Sequence, residues 1–121
     1  VIGSKIIDSS VWLSYLFEGK HSEYIENNET NFLSVLSLFE IKRKLLERLG
    51  KEETTRRINQ IKIKSLLIDV TNTIAENAAE ISHKNKVPMA DSIIYATALE
   101  NKLSLITLDN DFRNLPGAIV L

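Results

Sequence analysis

Apolar residues follow two rhythms along this chain, and their alternation sets the expected architecture. Lys5-Ile6-Ile7 is a short apolar run that ends at Asp8. After Ser9 and Ser10, Val11-Trp12-Leu13 and Leu16-Phe17 recur at helical spacing as far as Gly19, which predicts strand, sharp turn and helix. Residues 21–28 are polar and predict a second short helix, and residues 31–34 a second strand. A helix is expected over 35–49, stopped by Gly50, with Val35, Leu38, Phe39, Ile41, Leu45, Leu46 and Leu49 on its apolar side. Its first two turns are apolar nearly all round, which predicts a buried start. An amphipathic, basic helix follows over 51–63, then a third strand over 66–69 and a helix over 71–85 with Ile74, Ala78 and Ile81 inward.

The stretch 87–112 organises the rest. Pro88 suits the first turn of a helix on which Asp91 shares a face with Ile94, Tyr95 and Ala98. That helix is apolar on most sides, which predicts burial. A strand over 103–108 then runs into Thr107, Asp109 and Asp111, and Pro116-Gly117 turns the chain into a last strand over 118–120. Strands alternating with helices predict an α/β fold of parallel βαβ units with both sheet faces covered. Length and the lack of any linker or repeat predict one domain over residues 1–121.

Composition then excludes several classes. Hydrophobic residues make up 44% of the chain, enough for a real core, and the net charge of −1 gives no overall bias toward nucleic acid. There is no Cys, which rules out disulfides and thiolate metal sites and fits a reducing, cytoplasmic setting. His21 and His83 are the only imidazoles, too few for a histidine zinc site. No apolar run is long enough for a membrane span, and no signal-peptide pattern opens the chain. The chain opens on Val1 rather than Met, which suggests a trimmed end. One segment departs from the average. Residues 42–64 hold nine basic residues against Glu47, Glu52 and Glu53. Arg43, Arg56 and Arg57 there are candidates for steering an RNA backbone, with a solvated helix face as the plain alternative.

Acids supply the candidate chemistry. Asp8 and Asp109 fall at strand ends, Glu40 and Asp91 in helix starts expected to be buried, and Asp111 lies just beyond. Clustered carboxylates repel one another unless a cation sits among them, and Mg²⁺ or Mn²⁺ suits an all-oxygen site. Each acid also has a plainer reading. Asp8 could cap the first helix. Glu40 could close a capping box with Ser37 or pair with Arg43 or Lys44. Asp91 could answer the helix dipole, and Asp109 with Asp111 could form an Asx turn. Those readings do not predict all the acids together.

The motifs KIIDSS, SVLSLFEI and PMADSIIYATALENKLSLITLDNDF resemble those of PIN domains. Size and order are most similar to the short VapC toxin ribonucleases of type II toxin–antitoxin pairs. The resemblance implies a three-layer α/β/α domain with a small, mainly parallel sheet of four or five strands, the first and fourth adjacent. It places the family's acidic quartet on Asp8, Glu40, Asp91 and Asp109. Thr107 matches the supporting hydroxyl, Ser9 or Ser10 the polar residue after the first acid, and Asp111 an additional acid. The implied activity is Mg²⁺- or Mn²⁺-dependent hydrolysis of RNA by a metal-activated water, leaving a 5′-phosphate. Asp8, Asp91 and Asp109 would hold the ion, and Glu40 a second ion or the attacking water. An antitoxin partner and a homodimer are implied as well. Two other classes compete: a catalytically silent PIN-type binding module, and a receiver-type phosphoacceptor domain using Asp69.

Overall fold

A computed structural model describes residues 4–121; the expectation about Val1 falls outside them. Strand β1 (Lys5–Ile7) leads into helix α1 (Ser9–Glu18), which ends at Gly19 in the left-handed conformation. Helix α2 spans only Ser22–Ile25. It is shorter than the polar pattern predicts because the Asn27 side chain accepts a hydrogen bond from the Glu29 amide (3.0 Å), turning the backbone out of the helix. Strand β2 (Asn31–Ser34) runs directly into helix α3 (Val35–Lys64). Then come β3 (Ser65–Ile68), α4 (Asn72–Asn85), α5 (Met89–Glu100), β4 (Ser104–Thr107), a single 3₁₀ turn at Asn110–Phe112 and β5 (Ala118–Val120).

The five strands are all parallel and lie in the order β3-β2-β1-β4-β5. Ile6 pairs with Leu105 and Ile7 with Ile106, so neighbouring residues of each strand serve opposite faces. On one face Ile7 and Ile106 join Val11 and Trp12 of α1 and Ile41, Leu45, Ile58 and Ile61 of α3. On the other, Ile6 and Leu105 meet Ile94, Tyr95 and Ala98 of α5, with Phe112 and Leu115. Helix α4 packs outside α5 through Ile74, Ala78 and Ala96. The result is the α/β/α arrangement, with α1 and α3 on one side of the sheet and α5 on the other.

Two expectations about burial need correction. The start of α3 is not buried all round: Ser37, Ile41 and Leu45, at i, i+4 and i+8, are buried, Leu36 and Leu38 are half-buried against the core, and Phe39 is 62% exposed. Leu46 and Leu49 are exposed too. The sheet is also incompletely covered, because β3 is an edge strand whose Leu66 is 56% exposed.

The break expected at residue 50 is real, though helical hydrogen bonding resumes at once on its far side. Gly50 has φ 80 and ψ 176 inside α3, a conformation open essentially to glycine alone. No heavy atom lies within 4 Å of where a Cβ would stand, so the restriction is purely of the backbone. Gly50→Ala should therefore lower stability by about 1–3 kcal/mol, read from the midpoint of urea unfolding. A variant as stable as the wild type would show that residue 50 is not held in this conformation.

Candidate metal centre

Strand order reverses between β1 and β4, since β2 and β3 continue to one side of β1 and β5 lies beyond β4. Open α/β sheets place their sites outside the strand ends at such a point. Asp8 follows β1 there. Its amide donates to the Ile106 carbonyl (2.9 Å), extending the β1–β4 ladder by one rung, and its carbonyl accepts from Val11 and Trp12 at the start of α1. Its side chain makes no capping bond. Instead Asp8 Oδ2 accepts from Ser10 Oγ (2.7 Å) and Thr107 Oγ1 (2.8 Å). Those two hydroxyls are polarised alike. Ser10 Oγ accepts from the Leu108 amide (3.0 Å) and Thr107 Oγ1 from the Asp109 amide (3.0 Å), so each turns its proton to Asp8. The carboxylate is buried and oriented, and no hydrogen bond reaches its Oδ1 among the described residues.

Asp91 lies in the first turn of α5, and Asp109 and Asp111 flank the end of β4. Carboxylate oxygens of these three lie within 4.8 Å of one another. Burial first, then the charges of Asp109, Asp8 and Asp111, then a hydrogen bond with Asp111 push the Asp91 carboxyl up to about 7. Glu40, in the second turn of α3, accepts from Ser9 Oγ (3.1 Å). Burial raises its proton affinity most, the Ser9 bond pulls the other way, and the Asp8 charge raises it again. The Asp91–Asp109–Asp111 trio and the Asp8–Glu40 side are thus electrostatically joined through Asp8.

The plainer readings can be checked one by one. Helix α3 is capped by Ser34, whose Oγ accepts from the Leu36 amide, and Ser37 is buried with an unpartnered hydroxyl, so no capping box involves Glu40. Lys44 pairs with Glu47, not Glu40. The Asx turn does form, since Asp109 Oδ1 accepts from the Asp111 amide (2.8 Å), and it is what brings Asp111 back toward Asp91. Asp69 follows edge strand β3 and is exposed, away from the reversal point where a phosphoacceptor reading would need it. Ser9 and Ser10 serve different acids, a division that their successive places on a helix, about 100° apart, already carry.

Of the basic candidates, Arg56 and Arg57 are both bound by Glu53, and Arg43 borders an apolar hollow with Phe39 and Leu46. Lys44 and Arg48 border the groove that begins at Ser10. Both belong to the basic segment 42–64, and they stand i+4 and i+8 from Glu40, the spacing of one helix face.

The sequence matches the PIN domain family over residues 5–118. The chain belongs to that family. No curated protein matches the sequence. Among solved structures, a toxin–antitoxin complex from Klebsiella pneumoniae is similar at 23% identity and TM-score 0.81, with 96% of each chain covered. VapBC2 from Rickettsia felis, bound to a DNA fragment from its promoter, is similar at 16% identity and TM-score 0.81, covering 98% of this chain and 97% of that one. VapC20 from Mycobacterium tuberculosis, a sarcin–ricin-loop-cleaving toxin, shares 16% identity and TM-score 0.72 over 93% and 95% of the two chains. The fold of this PIN domain is theirs. No described helix is long and apolar enough to cross a membrane.

The donor set fits a hard divalent cation. It is all oxygen, two of its members are pushed toward protonation, and no described Lys or Arg ion-pairs with any of the five acids. A sign follows for pH. Asp91 binds its proton more tightly folded than unfolded, so the metal-free native state holds more protons and loses stability as pH rises from about 4 through about 7. Between about pH 5 and 8 the melting temperature in chelator should fall, and Asp91→Asn should flatten that fall and raise the value at pH 8 by a few degrees. Saturating Mg²⁺ or Mn²⁺ should restore the wild type at pH 8 and do little for the variant. A wild-type curve independent of both pH and metal would refute the coupling. Thr107→Val removes the donor that fixes Asp8 while keeping shape, and should weaken metal-dependent stabilisation by about 10–100-fold in apparent affinity.

Proposed function

We propose that this PIN domain is a Mg²⁺- or Mn²⁺-dependent endoribonuclease and the toxin of a toxin–antitoxin pair. The observation that supports the chemistry is the Asp91–Asp109–Asp111 cluster at the β1–β4 reversal, with Asp8 charge-coupled to Asp91 and to Glu40 and no ion-pair partner for any of the five among the described residues. The toxin assignment is supported by the fold shared with structures described as toxin–antitoxin complexes. An antitoxin protein is the expected partner, and the homodimer and cytoplasmic location implied by the family belong to the same proposal, as does the single domain over 1–121.

Asp8, Asp91, Asp109 and Asp111 would hold the ion, which supplies charge neutralisation of the phosphate and a lowered pKa for bound water. Asp8 presents its free Oδ1 to the site because Ser10 and Thr107 occupy its Oδ2. Glu40, which accepts from Ser9 and has a raised proton affinity, would orient the attacking water and accept its proton. Attack in line on phosphorus breaks the bond to the 3′ oxygen, leaving a 3′-hydroxyl and a 5′-phosphate. The 2′-hydroxyl takes no part, so a 2′-deoxy residue at the scissile position should still be cut.

The test is cleavage of a panel of structured RNAs with and without divalent ion. Asp8→Asn and Asp91→Asn should each lower the rate by more than the roughly 100-fold ceiling for outer-shell changes. End-labelling should find 5′-phosphates. Cleavage that persists in chelator, or that is equal in the acid variants, would overturn the reading.

A further inference from the structure

An acid cluster repels the phosphodiester it is meant to cut, so the substrate needs cations beside the site. Lys44 and Arg48 are placed for that. They stand i+4 and i+8 from Glu40, hence about 6 and 12 Å from it along the helix axis. They border a groove of about 400 Å³ between α1 and the first half of α3, and that groove opens at Ser10, whose hydroxyl holds Asp8. Arg48 has no carboxylate partner among the described residues. Its guanidinium lies 4.2 Å from the Phe17 ring centroid, a cation–π contact that holds it at the groove. Lys44 meets Glu47 at 3.7 Å with both side chains well exposed, a pair that a phosphate can displace. Leu13 and Leu108 add apolar surface to a lining that also holds Ser14 and Glu18. Cations beside apolar surface in one open groove suit a single strand's backbone.

We infer that this groove seats the single-stranded RNA segment next to the scissile phosphate, with Lys44 and Arg48 on its phosphates and Leu13 and Leu108 against its sugars. The inference rests on the ribonuclease reading and adds the path of the substrate. Lys44 and Arg48 are positioning residues. Arg56 and Arg57 are already bound by Glu53 and are not on this path. Glu18, which also borders the groove and accepts from Ser14 Oγ (3.0 Å), opposes the RNA and sets a limit on affinity.

Binding of a labelled, mixed-sequence single-stranded RNA would be measured at several salt concentrations in an Asp8→Asn background. Lys44→Gln and Arg48→Gln should each reduce the magnitude of the log–log salt slope by about 1 and weaken low-salt binding several-fold. Glu18→Gln should tighten it by about twofold, a gain that misfolding cannot produce. Arg56→Gln with Arg57→Gln should leave the slope unchanged. With Asp8 intact, the Lys44 and Arg48 variants should raise KM several-fold and hold kcat within about twofold. Unchanged slopes and KM in an enzyme that cleaves would overturn the groove assignment alone and leave the surface to a protein partner. Altered slopes in a protein that never cleaves would uphold the RNA seat and overturn the ribonuclease reading. Absence of RNA binding in the Asp8→Asn protein would overturn the groove assignment.

Discussion

Two hydroxyls hold this site together. Ser10 and Thr107 each accept from the backbone just past β4 and each donate to the same oxygen of Asp8. The end of β1, the start of α1 and the end of β4 are thereby tied at one point, and the point is buried. A buried carboxylate without donors would be costly, and two donors on one oxygen supply that need while the other oxygen keeps its lone pairs. The arrangement satisfies one oxygen and keeps the other available. It also explains why the sheet must reverse here, since only adjacent β1 and β4 bring residues 8 and 107 within hydrogen-bonding distance.

The rest of the site works against the fold. Asp91 carries its charge among apolar neighbours and next to three other acids, and nothing in the chain neutralises it. That is a stability penalty at neutral pH which a cation would convert into binding free energy. The surrounding structure absorbs it by packing. Ile94, Tyr95 and Ala98 anchor α5 against the sheet, and Phe112 and Leu115 close the far side of the 3₁₀ turn. The Asx turn at Asp109 likewise serves both purposes, stabilising the backbone locally while crowding Asp111 toward Asp91.

What was legible in the sequence were features whose signal is local and periodic. Short apolar runs marked β1 and β4, and Ile74 with Ala78 marked the inward face of α4. Asp8 and Asp109 were visible because they interrupt apolar runs at strand ends. Burial was harder. Phe39 looks like a core residue by its neighbours, but which of several apolar stripes on α3 meets the sheet depends on how β2 feeds the helix, with no turn between Ser34 and Val35. The third strand shifted by a residue, and its apolar run did not show that β3 lies at an edge. Strand order is a tertiary fact, and apolar content at an edge does not reveal it.

The basic segment shows how tertiary geometry divides a charge run that composition presents as one. Gly50 breaks α3 into two halves. Beyond it, Thr54, Ile58 and Ile61 turn inward, and Glu53, one turn before Arg57, engages both Arg56 and Arg57. Two of the five basic residues there are thus held in i,i+3 and i,i+4 pairs along the helix. Before Gly50 the register is set by Ile41 and Leu45 in the core, which turns Glu40, Lys44 and Arg48 together toward α1. One helix face therefore carries an acid at its sheet end and cations further along. A polyanion approaching that face would meet attraction before repulsion, and the gradient points it toward the β1–β4 reversal. The break at Gly50 is what keeps the two halves of the segment from sharing that task.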